Sequence, residues 1–222
     1  MTQDFWNSDE IRARYTNVKP LGSGGMGTVY LVKDIVLDKL VAIKVLDANL
    51  SSQQSMRFQR EGKLSGKLNH ENIVSILDFG VSEKNVPYLV MEYLPGSSLS
   101  AVLEENGPIE LNEALSIFIS ICAGMIHSHK TGILHRDLKP ENIIVSGSSG
   151  DRTIKIVDFG IARLTEADGQ ITQTGAMLGS ILYMAPEQSI GAASERSDIY
   201  SMGCLMFATL TGGATISRRN SD

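Results

Sequence analysis

Three stretches of the sequence carry side chains that phosphate chemistry could use. HRDLKPEN, residues 135–142, sets Asp137 and Asn142 five apart, with Pro140 stiffening the chain between them. DFG at 158–160 ends a strand-like run, so Asp158 stands at a turn from which a carboxylate reaches a hard cation. Asn142 with Asp158 is an oxygen-only set of few ligands, which suits Mg²⁺ completing its shell with water and substrate phosphates. Upstream, GSGGMG at 22–27 fits G-x-G-x-x-G, and Lys44 lies inside the apolar strand VAIK. Each piece alone is common: a hairpin tip, an edge lysine, a charged turn. Their combination in this order is not.

The residues after the glycines decide what the loop is for. A dinucleotide site needs a helix whose N-terminus holds the pyrophosphate. Here TVYLV follows, β-branched and aromatic, which is strand material. Strand, glycine loop, strand makes a flap whose backbone N–H groups lie over phosphates with no side chain between. The helix expected over 52–68 adds a second argument. On a helical wheel Phe58, Leu64, Ser65 and Leu68 share an arc roughly 120° wide with Glu61 at its middle. A carboxylate on an inward face requires a partner, and Lys44 is the obvious one.

The elements that must position these groups follow from periodicity. Strands are expected across 15–47, with a turn near Asp38, and again over IVSILDFG and PYLVMEYL. After Pro95-Gly96 the pattern turns helical: SLSAVLEEN, then LNEALSIFISICAGMIHSHK, apolar over so wide an arc that it reads as a buried helix. Short strands IIVS and TIKIVDF come next, then a long loop to about 187 and an apolar helix starting near Asp198. A strand-rich first part and a helix-rich second part give an α+β chain of two lobes.

The totals exclude several functions. The 222 residues carry a net charge of −5 and 42% hydrophobic residues, with a sequence pI near 5.4, so no basic field invites nucleic acid or anionic lipid. Cys122 and Cys204 lie in apolar runs and read as buried free thiols of a reducing, cytoplasmic protein. No apolar run reaches about 18 residues, so no membrane segment is expected, and the polar N-terminus lacks a signal peptide's apolar core.

The ordered set GSGGMGTV, VAIK, Glu61, HRDLKPEN, DFG, APE at 185–187 and SDIYSMG at 197–203 resembles the protein kinase family. The resemblance is closest to bacterial Hanks-type serine/threonine kinases, through the GGMG flap and ITQTGAMLGSILYMAPEQ. It implies a bilobal fold: a small β-rich N-lobe over 1–91 with its regulatory helix, a hinge at 92–97, and a mainly helical C-lobe over 98–222. It implies ATP and Mg²⁺, with Mn²⁺ as an alternative, and protein substrates bearing Ser or Thr. Leu21, Gly22, Ser23, Gly24, Gly25, Met26, Gly27, Val29, Ala42 and Lys44 would then line the nucleotide, and Met91, Glu92 and Leu94 the adenine. Lys44 would contact the α- and β-phosphates and pair with Glu61. Asp137 would orient the substrate hydroxyl, Lys139 would sit near the γ-phosphate, and Asn142 and Asp158 would hold the metal. Thr172 and Thr174 match positions of autophosphorylation, with Arg136 placed to pair with the added phosphate. Asp198 would hold the backbone of the HRD turn.

Two expectations qualify this reading. Gly62 and Gly66 each cost about 1 kcal/mol of helix propensity relative to alanine, so the Glu61 helix is expected to be mobile and to depend on nucleotide or a partner for its active position. The C-lobe is expected to lack its last helices, leaving Ile199, Tyr200, Met202, Leu205, Met206, Phe207 and Leu210 short of neighbours. That exposure makes self-association an expectation, and an inactive fragment that only binds ATP or a partner the alternative to an active kinase.

Overall fold

The structure, a computed structural model, describes residues 5–24, 27–46, 52–148, 151–159 and 181–212. Gly25, Met26, Thr172 and Thr174 lie outside them, as does the side chain of Glu61. The described chain falls into two units. The first takes residues up to Asn69 and Val74–Leu94; the second takes His70–Ile73 and the described residues from Pro95 on.

The first unit opens with helix α1 (Asp9–Arg14) and continues through β1 (Tyr15–Gly24), β2 (Gly27–Asp34), β3 (Lys39–Leu46), helix α2 (Ser52–Ser65), β4 (Ile76–Val81) and β5 (Pro87–Glu92). The five strands form an antiparallel sheet in the order β1-β2-β3-β5-β4. Side chains alternate across a strand, and the register sorts them. Val41, Ile43 and Val45 of β3 meet Val32, Tyr30, Val90 and Tyr88 on one face. There they join Phe5, Ile11 and Tyr15 in a buried core. Gly27 makes the glycine hairpin possible: with φ at 142°, a Cβ there would lie 2.1 Å from the Val45 carbonyl oxygen. The turn at Asp38 is made in the left-handed region, φ 49°.

Helix α2 stops at Ser65, one turn short of the expected end; of the residues expected to face inward, Ser65 and Leu68 are buried but Leu64 is not. Leu64 is exposed while Gly62 and Ser65 are buried. The cause is Phe79 of β4: a Cβ on Gly62 would lie 2.9 Å from that ring, so the helix turns its bare glycine toward the strand. Strand β4 also starts later than the pattern suggests, because Ile73 bridges to Ile156 in the second unit instead.

The second unit contains β6 (Ser97–Ser98), α3 (Leu99–Asn106), α4 (Leu111–Lys130), β7 (Ile143–Ser146), β8 (Thr153–Ile156) and α5 (Glu195–Thr211). Short 3₁₀ turns occupy Pro140–Asn142 and Pro186–Ile190. Each helix start has a local cause. The Ala101 N–H donates to Ser98 Oγ at the head of α3, and the Asn112 N–H to Glu110 Oε2 at the head of α4. Helix α5 begins one turn before Asp198, where the Ser194 N–H donates to Ser197 Oγ.

Neither long helix is buried all round. Helix α4 turns Ile117, Phe118, Ile121 and Met125 inward and leaves Leu111, Leu115, Ile119 and Ile126 exposed. By length and composition alone it is also the one described helix that could cross a membrane. Helix α5 buries Leu205 and Ala208, half-buries Met202 and Met206, and exposes Ile199, Tyr200, Phe207 and Leu210. Its inward face is mostly polar: Ser197, Asp198, Ser201 and Thr209 are all buried. Cys122 and Cys204 are free and half-buried rather than fully enclosed, the first with its Sγ 3.5 Å from Met202 Sδ.

Candidate active site

In the first unit, the face opposite the aromatic core gathers four of the residues expected to line a nucleotide. Val29 pairs with Lys44 across β2 and β3, and Ala42 pairs with Met91 across β3 and β5, so all four project from the same side. Lys44 and Met91 are each only 6% exposed, so the lysine's charge is sunk into the sheet surface and does not wave at an edge. Leu21, Gly22 and Ser23 lie exposed on β1, and a Cβ on Gly22 would meet nothing within 4 Å. Glu92 is occupied: its N–H donates to the Ser75 carbonyl at 3.0 Å, and its Oε1 accepts from the Ser75 N–H at 2.7 Å. Leu94 is half-buried.

In the second unit, one buried carboxylate organises the HRD turn. Asp198 is 1% exposed, and its Oδ2 accepts from the His135 N–H at 2.9 Å while its Oδ1 accepts from the Arg136 N–H at 2.8 Å. His129 Nε2 reaches the same Oδ2 at 2.9 Å. The turn is further tied by Gln188, whose Nε2 donates to the Arg136 carbonyl at 2.8 Å. These bonds hold Arg136 at φ 67°, a left-handed conformation that a long side chain rarely adopts. The Arg136 Nε is buried and has no hydrogen-bond partner among the described residues.

His135 is fully buried and serves as a neutral spacer. Its Nε2 lies 3.0 Å from the Val157 carbonyl and its Nδ1 3.3 Å from the Asp137 N–H, so the ring donates from one nitrogen and accepts at the other. Phe159 packs on it, ring centroids 4.6 Å apart. Burial pushes this imidazole below its ordinary value, against the nearby carboxylates of Asp198 and Asp137, which pull it up.

On that turn the acidic and amide groups converge. Lys139 Nζ lies 2.8 Å from Asp137 Oδ2, and Asn142 Nδ2 donates to the same oxygen at 3.2 Å and to the Asp137 carbonyl at 2.7 Å. Both side-chain contacts fall on Oδ2. Asn142 turns its amide N–H groups toward Asp137, so its Oδ1 is the atom it has for a cation. Asp158 is brought close along the chain, since the Val157 N–H donates to the Asn142 carbonyl at 2.9 Å, and it too is left-handed, φ 65°. An amide oxygen and a carboxylate fit a hard divalent ion with open positions.

Sequence reasoning did not find His129, Gln188 or the hydrogen-bonding role of His135. Two of them leave a usable trace. A histidine in a helix's last turn reads as a dipole partner, yet here it serves a buried aspartate that must have donors. The Gln188 trace is subtler: its Oε1 also accepts from the Ala185 N–H, three residues back, which is a capping pattern.

The family described as protein kinase domain matches residues 15–222. The chain is 41% identical over 205 residues to the serine/threonine-protein kinase PknB of Mycobacterium leprae, covering 90% of this chain and 32% of that protein. It is 42% identical over 205 residues to the serine/threonine-protein kinase PrkC of Bacillus subtilis, covering 91% and 31%. The chain therefore spans about a third of the length of the curated relatives it matches.

Proposed function

Because the chain belongs to the protein kinase domain family, we propose that it is a serine/threonine protein kinase that moves the γ-phosphoryl group of ATP to a protein hydroxyl. One observation carries the proposal: Lys139 and Asn142 converge on a single carboxylate oxygen of Asp137, on a turn fixed by Asp198. Phosphoryl transfer asks little covalent work of a protein; positioning and charge neutralisation supply the rate. Asp137 Oδ1 accepts and orients the attacking hydroxyl, and Lys139 keeps the other oxygen engaged while offering positive charge where the γ-phosphate loses its bond. Lys44 binds the α- and β-phosphates, with Glu61 as its partner. Met91 lines the adenine; since the Glu92 N–H is taken, a base contact from Glu92 rests on its carbonyl, with Leu94 supplying the other backbone group. Asn142 Oδ1 and Asp158 would hold Mg²⁺, which would neutralise phosphate charge.

Arg136 is the regulatory residue in this reading. Its buried Nε without a described partner suits pairing with a phosphate on Thr172 or Thr174. The two free thiols fit a reducing compartment, and we place the chain in the cytoplasm.

The test is to incubate the purified chain with ATP and Mg²⁺, then with Mn²⁺, and to map phosphate by mass spectrometry. Phosphate at Thr172 or Thr174 is expected in the parent and not in Asp158→Asn or Asp137→Asn. A folded parent that binds nucleotide yet transfers nothing to itself or to a generic Ser/Thr substrate refutes the proposal.

A further inference from the structure

The region matched by the kinase family begins at residue 15, yet the first unit's core begins at Phe5. Phe5 is 0% exposed and Ile11 1%, so the segment before β1 contributes two fully buried side chains to that core. Their aromatic contacts have a particular geometry. The Phe5 ring lies 5.2 Å from Tyr88 of β5, and the neighbouring Trp6 ring lies 5.1 Å from Tyr30 of β2, edge to face. Phe5 and Trp6 are themselves 4.8 Å apart. In the sheet order, β2 and β5 are the two strands that flank β3. Tyr30 is paired with Ile43 and Tyr88 with Val45, which bracket Lys44 in sequence and point to the opposite side from it.

We infer that this N-terminal strap is a clasp that holds β3 between its neighbours and thereby positions Lys44, with Phe5 as its positioning residue. The inference rests on the kinase reading of Lys44. At its Phe5–Trp6 end the clasp works through apolar contact, while at its other end Arg14 Nε donates to Asp34 Oδ2 at 3.0 Å and its Nη1 to Asp78 Oδ2 at 2.7 Å. Trp6 Nε1, Ser8 Oγ and Tyr15 OH are buried without a hydrogen-bond partner among the described residues, so no such bond from these atoms fixes the seat. Interdigitated rings do that job, and ring contacts respond to the loss of shape. A shift in β3 moves the lysine at its centre, and misplacement of a positioning group on the scale of 1 Å costs up to about a hundredfold.

The experiment uses the full chain, a fluorescent ATP analogue (mant-ATP) and thermal unfolding. Phe5→Ala is expected to weaken mant-ATP binding by on the order of tenfold at a temperature where the variant remains folded, and Phe5→Leu to restore most of it. Trp6, the only tryptophan, reports the strap's seat through its emission, which should shift to the red in Phe5→Ala. Should Phe5→Ala fail to fold, Trp6→Leu keeps apolar bulk, removes the edge-to-face contact with Tyr30, and should weaken binding several-fold. A lowered unfolding temperature with mant-ATP affinity unchanged, in whichever variant folds, overturns the inference and leaves the strap a merely structural cap. A parent that does not bind mant-ATP overturns the kinase reading, and this inference with it.

Discussion

In the second unit the candidate chemistry hangs on one buried charge; in the first it hangs on a packed sheet. Asp198 gathers three donors, two of them backbone N–H groups of the HRD turn. Lys44, by contrast, is set by strand register and by Val41, Ile43 and Val45 behind it, many small contacts of which each is partly replaceable. A polar scaffold concentrates risk in single atoms, because an orphaned buried donor costs its full desolvation. An apolar scaffold spreads the risk, because neighbours relax into part of any gap.

The contrast is broken or kept first by Asp198→Ala. The buried N–H of His135 and the part-buried N–H of Arg136 lose their acceptor, at about 1–3 kcal/mol each, and Arg136 loses what holds it left-handed. A loss of roughly 2–6 kcal/mol is expected in denaturant unfolding, with phosphoryl transfer abolished in any folded fraction. Ile43→Val, equally buried, should cost only about 0.5–1.5 kcal/mol and leave the nucleotide face working. Equal losses in the two variants would show that the units do not differ in this way.

These two positions also show how far the sequence could be read. Val41, Ile43 and Val45 announce themselves by alternation, and the sheet follows, because a strand's inward face is apolar for the same reason that it is inward. Asp198 and Ser201 mislead a hydropathy reading. Ser201 Oγ donates to the Tyr183 carbonyl and Asp198 feeds the HRD turn, so helix α5 turns polar groups inward and Ile199 and Phe207 outward. Polarity marks an inward face when the neighbour is bare backbone. Spacing in HRDLKPEN made Asp137 and Asn142 legible as a pair, while Lys44's pairing with Glu61 rests on the wheel, since that side chain lies outside the described residues.

Gly62 sharpens the comparison within the first unit. Alanine there gains about 1 kcal/mol of helix propensity but drives a Cβ to 2.9 Å from the Phe79 ring. Overpacking of that sort costs about 1–3 kcal/mol, so Gly62→Ala should destabilise by about 1 kcal/mol net. Adding Phe79→Leu, which relieves the clash, should reduce that penalty. A stabilised Gly62→Ala would mean that the helix does not press on β4. Hydrogen exchange along α2 reads the same question from the other side: fast exchange without nucleotide is expected from a helix carrying two glycines, and strong protection would refute it.

The smallest effect is a pH dependence that only the polar scaffold should show. His135 is buried as a neutral ring, its imidazole held below the ordinary value by burial. In the unfolded chain the same ring takes up a proton near pH 6.5. As pH falls through that value, the unfolded state binds a proton that the folded state refuses, and stability drops with it. Above roughly pH 6.5 both states are neutral at this residue and the contribution is flat. Denaturant unfolding between pH 5 and 8 should therefore show a decline on the acid side that is shallower in His135→Phe, which also surrenders the bonds to Val157 and Asp137 and so lies lower throughout. Parallel curves would mean that His135 stays neutral, or becomes protonated, to the same extent in both states, and that its burial does not govern its charge. The sheet of the first unit offers no such handle: Val41, Ile43 and Val45 do not titrate, and Ile43→Val should shift stability by the same amount at every pH.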